Sequence, residues 1–585
     1  MAFEIAVTSR LQPIGRLRSV IHATPGPLVL LVAAGVAMVA DIPQVRPEQM
    51  TDTGLVSVLP VGWFLSLSLI VVSFVWSLVD EGCPNWLRTA HIVMFIVLIH
   101  GTPAMVYGTL RYSWAWKHIG VIEFFQRRGA LDPSEPVLGP YHNWPGFFTL
   151  WAFATQFAGA KSALAFASWA PVYFNVAMLA PLTAFYRSFT RDNRMVALAL
   201  WIFYIGSWVG QDYFAPQALN FILYIVILVL WLRFLDPDLT DVSRSVRRSA
   251  TVLLLLLEAT VASSHQLTPV MMTMALVIFA LLRRGRGWLL AASSAVITIA
   301  WLATGARTFM SDNVQAVLKT MGSLSSNANS TFIDLTQASS GQLLVAKMDR
   351  ALSISILLLA GIGIVRLRGA RMSWVPLGLM AVPLTLLAAS SYGGEIVFRV
   401  YLFALPSAAF FGAVALGPIW GTRRWSIPRA VMISTVSMAL LVGMLFAYYG
   451  KERMFHFTRQ EVAGSRWLYD NAPAGSLIIG VTSNLPWAFT HYEQYRYRWL
   501  AAEDRATRRQ LLDDPVAAVN AAVGAKAAVA AYVILNRGQR VEMEATGKLL
   551  PLGAVDRIDL ALRGSPQFTV VFSNPDVTVL QRVGP

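Results

Sequence analysis

The sequence predicts a polytopic α-helical membrane protein of about 13 transmembrane helices with a small C-terminal soluble α/β domain. Three observations predict it. The 585 residues are 56% hydrophobic and only 14% charged, a composition typical of multi-span membrane chains. Apolar stretches of roughly 15–22 residues recur, close to the length that crosses a bilayer core. Two kinds of loop alternate between them. One kind holds arginine clusters: Arg187, Arg191 and Arg194; Arg244, Arg247 and Arg248; Arg283, Arg284 and Arg286; Arg366, Arg368 and Arg371; Arg423, Arg424 and Arg429. The other holds histidines, carboxylates and aromatics. Arginine marks the cytoplasmic side, so the chemically equipped loops share the opposite face.

The net charge of +15 belongs largely to those arginine loops. Topology and anionic lipid therefore explain it, and nucleic acid is not an expected partner. Cys83 is the only cysteine, which excludes an internal disulfide and a cysteine metal site.

The polar N-terminus carries Arg10, Arg16 and Arg18 before an apolar run over 27–40. Asp41, Ile42 and Pro43 make a poor signal cleavage site, so this run is expected to be an uncleaved first span with a cytoplasmic N-terminus. Further spans are expected near 59–79, 89–109, 167–186, 195–211, 217–235, 249–264, 267–283, 287–304, 350–366, 373–390, 400–420 and 429–449. The segment 146–160 is apolar enough to be another. If it crossed, every later arginine cluster would fall outside, so charge bias lays it along the outer interface. The expected units are 1–88 with two additional spans, a core over 89–450 with a large outer loop 110–166, and an extracytoplasmic domain over 451–585. In that last unit a helix over 459–470 leads through the turn 471–475 to a strand at 476–481. A second strand follows at 529–535, then a hairpin of 567–572 and 577–583. The Ser/Asn/Thr-rich loop 306–345 is also outside and holds the sequon Asn329, Ser330 and Thr331, a weak signal.

The densest chemistry lies in the first large outer loop: Arg111, Lys117, His118 and Glu123, then Tyr141, His142 and Trp144. A carboxylate and imidazoles beside aromatic platforms suit sugar binding and deprotonation of a hydroxyl; an interfacial aromatic belt is the bland alternative. Glu258 lies within an apolar run, where an ionisable group is costly unless paired or facing water. His265 follows seven residues later on the same helical face, so a Glu258–His265 pair is expected, with a packing hydrogen bond as the alternative. Glu395 and Arg399 are spaced for an intrahelical pair, but an outer-face arginine also suits a phosphate or pyrophosphate head group. Asp212 occupies a tight outer turn, as an N-cap of the next span or as part of the outer cluster. No Walker loop, dinucleotide glycine fingerprint or HExxH occurs, which argues against nucleotide-driven transport.

This layout resembles the GT-C superfamily of polyprenyl-phosphate-sugar-dependent membrane glycosyltransferases over about 89–585. The matching features are the loop 111–146, where Tyr141, His142, Asn143, Trp144 and Pro145 resemble an aromatic-Pro-His element, and the entry to the C-terminal domain. That entry runs from Arg466, Trp467, Leu468 and Tyr469 to Ala472, Pro473, Ala474, Gly475 and Ser476. The resemblance implies a catalytic acid soon after the first core span. Here that place reads Arg111, Tyr112, Ser113 and Trp114, with no acid until Glu123, so the base is open between Glu123, Asp132 and Asp212. It implies an inverting transferase at the plasma (inner) membrane. A polyprenyl-phosphate-sugar donor would have its phosphate on Arg399 with Lys117 or Arg111, and would pass its sugar to a glycan or lipid acceptor outside the cytoplasm. His118, His142 and His265 would orient hydroxyls or the leaving phosphate. A divalent metal is compatible but no ligand spacing demands one. The alternatives are a polysaccharide polymerase or ligase using the same donor chemistry, and a lipid-linked glycan flippase.

Overall fold

The computed structural model describes residues 25–583 apart from 240, 283–286, 321, 324, 326, 328–336, 368–373, 389–393, 419–424, 525–527 and 548, with the backbone alone for 316–320. The arginines at 10, 16, 18, 283, 284, 286, 368, 371, 423 and 424 and the sequon at 329–331 lie outside the described residues.

Each of the thirteen segments expected as spans contains helix among its described residues, with 373–390 represented by the α-helix Trp374–Ala381 and the 3-10 segment Val382–Ala388. By length and composition, seven helical segments among the described residues can cross a membrane: Pro25–Gln44, Val61–Val79, Asn85–Tyr107, Pro216–Leu235, Ser340–Arg366, Ile396–Leu416 and Ile427–Phe455. An eighth is added if Trp288–Ala303 and Arg307–Gln315, which bend by 90° at their junction, count as one. Others, such as Ala170–Tyr186, Asn193–Gly206 and Thr268–Leu282, are apolar but shorter.

The Ile396–Leu416 helix is the most enclosed of the seven, with 78% of its apolar window buried. It packs against Ser340–Arg366 on one side and Asn193–Gly206 on another. Gly363 permits the first contact, because a Cβ there would lie 1.9 Å from the Phe411 carbonyl oxygen. A helix held on several sides is a rigid mount for anything at its N-terminal end, and Arg399 stands in its first turn.

Segment 146–160 forms the helix Gly146–Phe157, 12 residues long, about 18 Å at 1.5 Å per residue and so too short to span. It packs on the helix Ser113–Arg128. The loop 110–166 is tied to the bent pair through Asn143. Its carbonyl accepts from Trp301 Nε1 at 3.1 Å, and its Oδ1 accepts from the Phe309 amide at 3.1 Å.

The C-terminal residues form a five-stranded sheet of order β2-β1-β3-β5-β4. The strands are β1 Leu477–Gly480, β2 Arg496–Trp499, β3 Ala531–Asn536, β4 Phe568–Asn574 and β5 Val577–Arg582. β2, β1 and β3 run parallel, while β5 and β4 form the hairpin anticipated from the turn at 573–576. β2 has no counterpart in the sequence reading. A helix Arg459–Asn471 leads into the sheet, opened by a capping box of Thr458 and Glu461. The sheet unit is docked on the loop 110–166. Arg127 Nη2 reaches Glu493 at 2.7 Å, His142 Nε2 bonds the Tyr492 hydroxyl at 2.5 Å, and Ser113 Oγ donates to the Ser483 carbonyl at 2.7 Å. Gly120 makes the approach possible, since a Cβ there would sit 1.7 Å from the Ala488 carbonyl oxygen.

Candidate functional site

The turn between helices Asn193–Gly206 and Pro216–Leu230 brings the deepest charges together. Gly210 takes a left-handed φ of 65°, a conformation glycine adopts without a Cβ penalty, and the chain reverses so that Asp212 points back into the bundle. Asp212 is not the N-cap of the next helix; Ala215 occupies that position. Instead Asp212 Oδ2 contacts His100 Nδ1 at 2.7 Å, and accepts from Asn175 Nδ2 at 2.9 Å and the Tyr448 hydroxyl at 3.1 Å. Among the described residues its Oδ1 has only a 3.4 Å contact with Tyr448, and 15% of the side chain remains exposed. Tyr448 in turn accepts from Arg111 Nη2 at 2.6 Å, and Arg111 Nη1 pairs with buried Glu452 at 2.8 Å. Burial opposes the charge of Asp212, but His100, Arg111 and the Tyr448 hydroxyl outweigh it and hold the carboxyl below the usual carboxylate range. Asp212 is thus an ionised, oriented carboxylate with one oxygen lightly engaged.

Two cavities adjoin this turn. A small one of about 40 Å³ is lined by Asp212, Asn175 and apolar side chains including Met178 and Phe221. A larger one of about 420 Å³ is lined by Arg399, His265, Gln266, His118 and the aromatic rings of Trp114, Tyr141, Trp144 and Tyr213. Gln211 and Gln217 line both.

In the larger cavity the two histidines have opposite hydrogen-bonding roles. His118 Nδ1 lies 2.7 Å from the Phe214 carbonyl, which can only accept, so Nδ1 carries the proton and Nε2 is an acceptor. His265 Nδ1 accepts from the amides of Leu267 and Thr268, each at 3.2 Å, so its Nε2 carries the proton and donates. Burial pushes both down to about 3, so both rings are neutral at physiological pH. His118 also stacks on Tyr213, with centroids 5.7 Å apart at 9°. Arg399 Nη2 bonds Glu395 at 2.5 Å; the pair expected from the spacing forms, and the guanidinium still borders the cavity.

Of the sequence candidates, His118, Tyr141, His265 and Arg399 meet in the larger cavity and Asp212 in the smaller. The others go elsewhere. Glu123 binds Arg127 at 2.8 Å and receives the His491 amide at 3.4 Å, at the junction with the sheet unit. Lys117 is buried with its ammonium 3.4 Å from the Trp114 ring centroid and 4.7 Å from that of Trp487. Burial brings its pKa down to about 7. His142 is packed against Phe124, Phe125 and Tyr492, and burial lowers it to about 4. Asp132 caps its own turn through Ser134, and Arg111 is held by Glu452.

The expected Glu258–His265 pair does not form. The helix Arg244–Ser264 ends just before His265, whose backbone is extended at φ −154° and ψ 145°, so the seven-residue helical spacing no longer applies. Both Glu258 oxygens are buried without a hydrogen-bond partner among the described residues.

His100, Tyr448 and Glu452 were missed in the sequence. A histidine inside the apolar run 89–109 was the available signal; nothing local links it to a tyrosine 348 positions away. Among the described residues no three His, Cys, Asp or Glu side chains converge as a metal site.

No protein-family model and no curated protein matches the chain. Solved structures do. The Archaeoglobus fulgidus oligosaccharyltransferase in its apo form aligns with a TM-score of 0.53 at 13% identity, over 80% of this chain and 72% of that one. The same organism's AglB, in complex with an inhibitory peptide and a dolichol-phosphate, aligns at 0.52 and 12% identity, over 82% and 70%. ArnT from Cupriavidus metallidurans bound to undecaprenyl phosphate gives 0.47 at 10% identity, over 85% and 99%. At such identities the likeness is one of fold. The chain has the GT-C-like architecture of these membrane glycosyltransferases.

Proposed function

We propose that this protein is a membrane glycosyltransferase that moves a sugar from a polyprenyl-phosphate-linked donor to a hydroxyl of a glycan or lipid acceptor on the extracytoplasmic face. The observation that carries the proposal is the adjacency of the two cavities, one bordered by a guanidinium and the other by an oriented carboxylate, with Gln211 and Gln217 between them. Arg399 binds the donor phosphate, a group that guanidinium recognises with paired hydrogen bonds. His265 Nε2–H adds a neutral donor. The acceptor hydroxyl attacks the anomeric carbon from the side of Asp212 and its proton passes to Oδ1. The bond from that carbon to the phosphate oxygen breaks, and the lipid phosphate leaves on Arg399 with inversion at the sugar. Asn175, His100 and Tyr448 keep the carboxylate aimed. The archaeal neighbour's complex with a dolichol-phosphate supports a lipid-linked phosphate as ligand.

In this reading all thirteen helical segments cross the membrane. The N-terminus is cytoplasmic, residues 1–88 form an added pair of spans, 89–450 form the core, and 451–585 form an outer domain over the site. The test is transfer of radiolabelled sugar from polyprenyl-phosphate donors by membranes containing the full chain. Arg399→Ala is expected to raise the donor KM by about 10–100-fold, the loss of a charge-assisted contact. An unchanged KM would remove Arg399 from the phosphate site. Absence of transfer by the wild-type protein from every such donor would overturn the function.

A further inference from the structure

Gln217 stands in the first turn of the helix Pro216–Leu230, just after Pro216, whose fixed φ defines how that turn begins. Its side chain is 3% exposed. Neither its Oε1 nor its Nε2 has a hydrogen-bond partner among the described residues. A buried carboxamide with both ends unmet is costly, by about a factor of 5–150 in the folding equilibrium for each polar atom. The nitrogens of neighbouring amides find partners, Asn220 Nδ2 donating to the Pro216 carbonyl at 2.8 Å and Asn175 Nδ2 to Asp212, while Asn220 Oδ1 is unmet among the described residues. Gln217 alone of the three lines both cavities.

We infer that Gln217 is a specificity-determining residue that reads a vicinal pair of hydroxyls on the transferred sugar. The inference rests on the glycosyltransfer reading above and deepens it. A sugar in transit has the leaving phosphate on one side and the attacking acceptor on the other. Gln211 and Gln217 both border the Arg399 cavity and the Asp212 cavity and so face the ring between them; of the two, Gln217 is the buried one whose carboxamide has no partner among the described residues. A carboxamide offers one acceptor and one donor from adjacent atoms. Two neighbouring gauche hydroxyls satisfy both at once, one donating to Oε1 and the other accepting from Nε2. A phosphate supplies acceptors only and would leave Oε1 unmet; an ammonium supplies donors only and would leave Nε2 unmet. The substrate class that follows is a neutral pentose or hexose with two adjacent free hydroxyls, in contrast to a deoxy or N-acylated sugar at those carbons.

The experiment uses the full-length protein and a panel of polyprenyl-phosphate-linked pentoses and hexoses, each compared with its 2-deoxy and 3-deoxy forms. Inhibition by sugar-free polyprenyl phosphate reports the integrity of the phosphate site. Wild-type protein is expected to prefer the diol donor by about 10–100-fold in kcat/KM, because each missing hydroxyl strands one buried carboxamide atom. Gln217→Leu should collapse that preference to within about threefold while inhibition by polyprenyl phosphate stays unchanged. Gln217→Glu, the same size with the donor removed, should lose discrimination at one of the two carbons and keep it at the other. Preference retained in Gln217→Leu, or full discrimination at both carbons in Gln217→Glu where Leu does not fold, overturns the inference and leaves the transferase reading intact. So does a wild-type protein that turns over only donors lacking an adjacent hydroxyl pair. No transfer from any donor by the wild-type protein overturns the transferase reading itself.

Discussion

Replacing Asp212 with asparagine removes one negative charge and almost no volume, so it isolates the step assigned to that carboxylate. The surroundings remain able to bond a carboxamide: Asn175, His100 and the Tyr448 hydroxyl lie 2.7–3.1 Å from Oδ2. What disappears is the acceptor for the proton released at the attack. A positioned general base contributes about 10²–10⁴-fold, which is about 3–5 kcal/mol of activation free energy at 1.36 kcal/mol per decade. Asp212→Asn should therefore lower kcat by that factor and leave the donor KM within about threefold, because the phosphate is held by Arg399 in the neighbouring cavity. Glu123→Gln is the matched comparison. Its carboxylate is 27% exposed and committed to Arg127, a pair worth about 0.5 kcal/mol at the surface, and transfer should stay within about threefold of wild type. The assay is single-turnover transfer of labelled sugar, with thermal unfolding of each purified variant as a control. Asp212→Asn retaining more than about a third of the activity would refute the assignment; a loss confined to Glu123→Gln would move the base to the outer junction.

Acid should destabilise the outer part of the molecule. Burial holds His142 at about 4, below its ordinary 6.5, so the unfolded chain binds its proton first. Stability is unaffected above about pH 6.5 and declines as pH falls from there towards 4. Between pH 7 and pH 5 the loss is about 2 kcal/mol from this residue, and His142→Gln should flatten that limb of a Tm-against-pH curve. Lys117→Met should raise Tm at pH 7. Burial costs the ammonium about 4 kcal/mol there and the two tryptophan faces offset about 2. The gain should shrink by pH 10, where the wild-type amine is neutral in the folded protein; a Tm lowered at pH 7 would show the cation–π contacts to dominate. Reporter fusions at Arg191 and Gly210 should report opposite sides of the membrane, and a common side would sink the proposed orientation.

Local chemistry was legible because it is written in adjacent residues. Apolar run length located helices, seven of which are long and apolar enough to cross a membrane, and turn residues at 471–475 and 573–576 placed β1 and the β4–β5 hairpin. β2 was not legible: it is a four-residue strand at one edge of the sheet, Arg496–Trp499, with no long apolar run. Of the residues lining the larger cavity, Arg399 was singled out by its charge at the end of an expected span and His118 by the clustering of polar and aromatic side chains in the loop 110–166. His100 was overlooked although its place inside an apolar run was the same kind of signal as Glu258.

The sequence by itself determined that this chain is a multi-helix membrane protein with a small α/β unit at its C-terminal end, and that arginine clusters mark one set of loops while clusters of histidine, acid and aromatic side chains mark the other. Those properties depend on composition and on periodicity within about twenty residues. Only the tertiary structure decided which charges meet. Asp212 finds His100, Asn175 and Tyr448 because three helices and a reversed turn converge. Arg111 is taken up by Glu452, 341 positions away, and Glu258 is left apart from His265 because the helix ends one residue too early. A buried charge must find a partner wherever the fold supplies one, and that partner is set by packing in three dimensions, which no local spacing encodes.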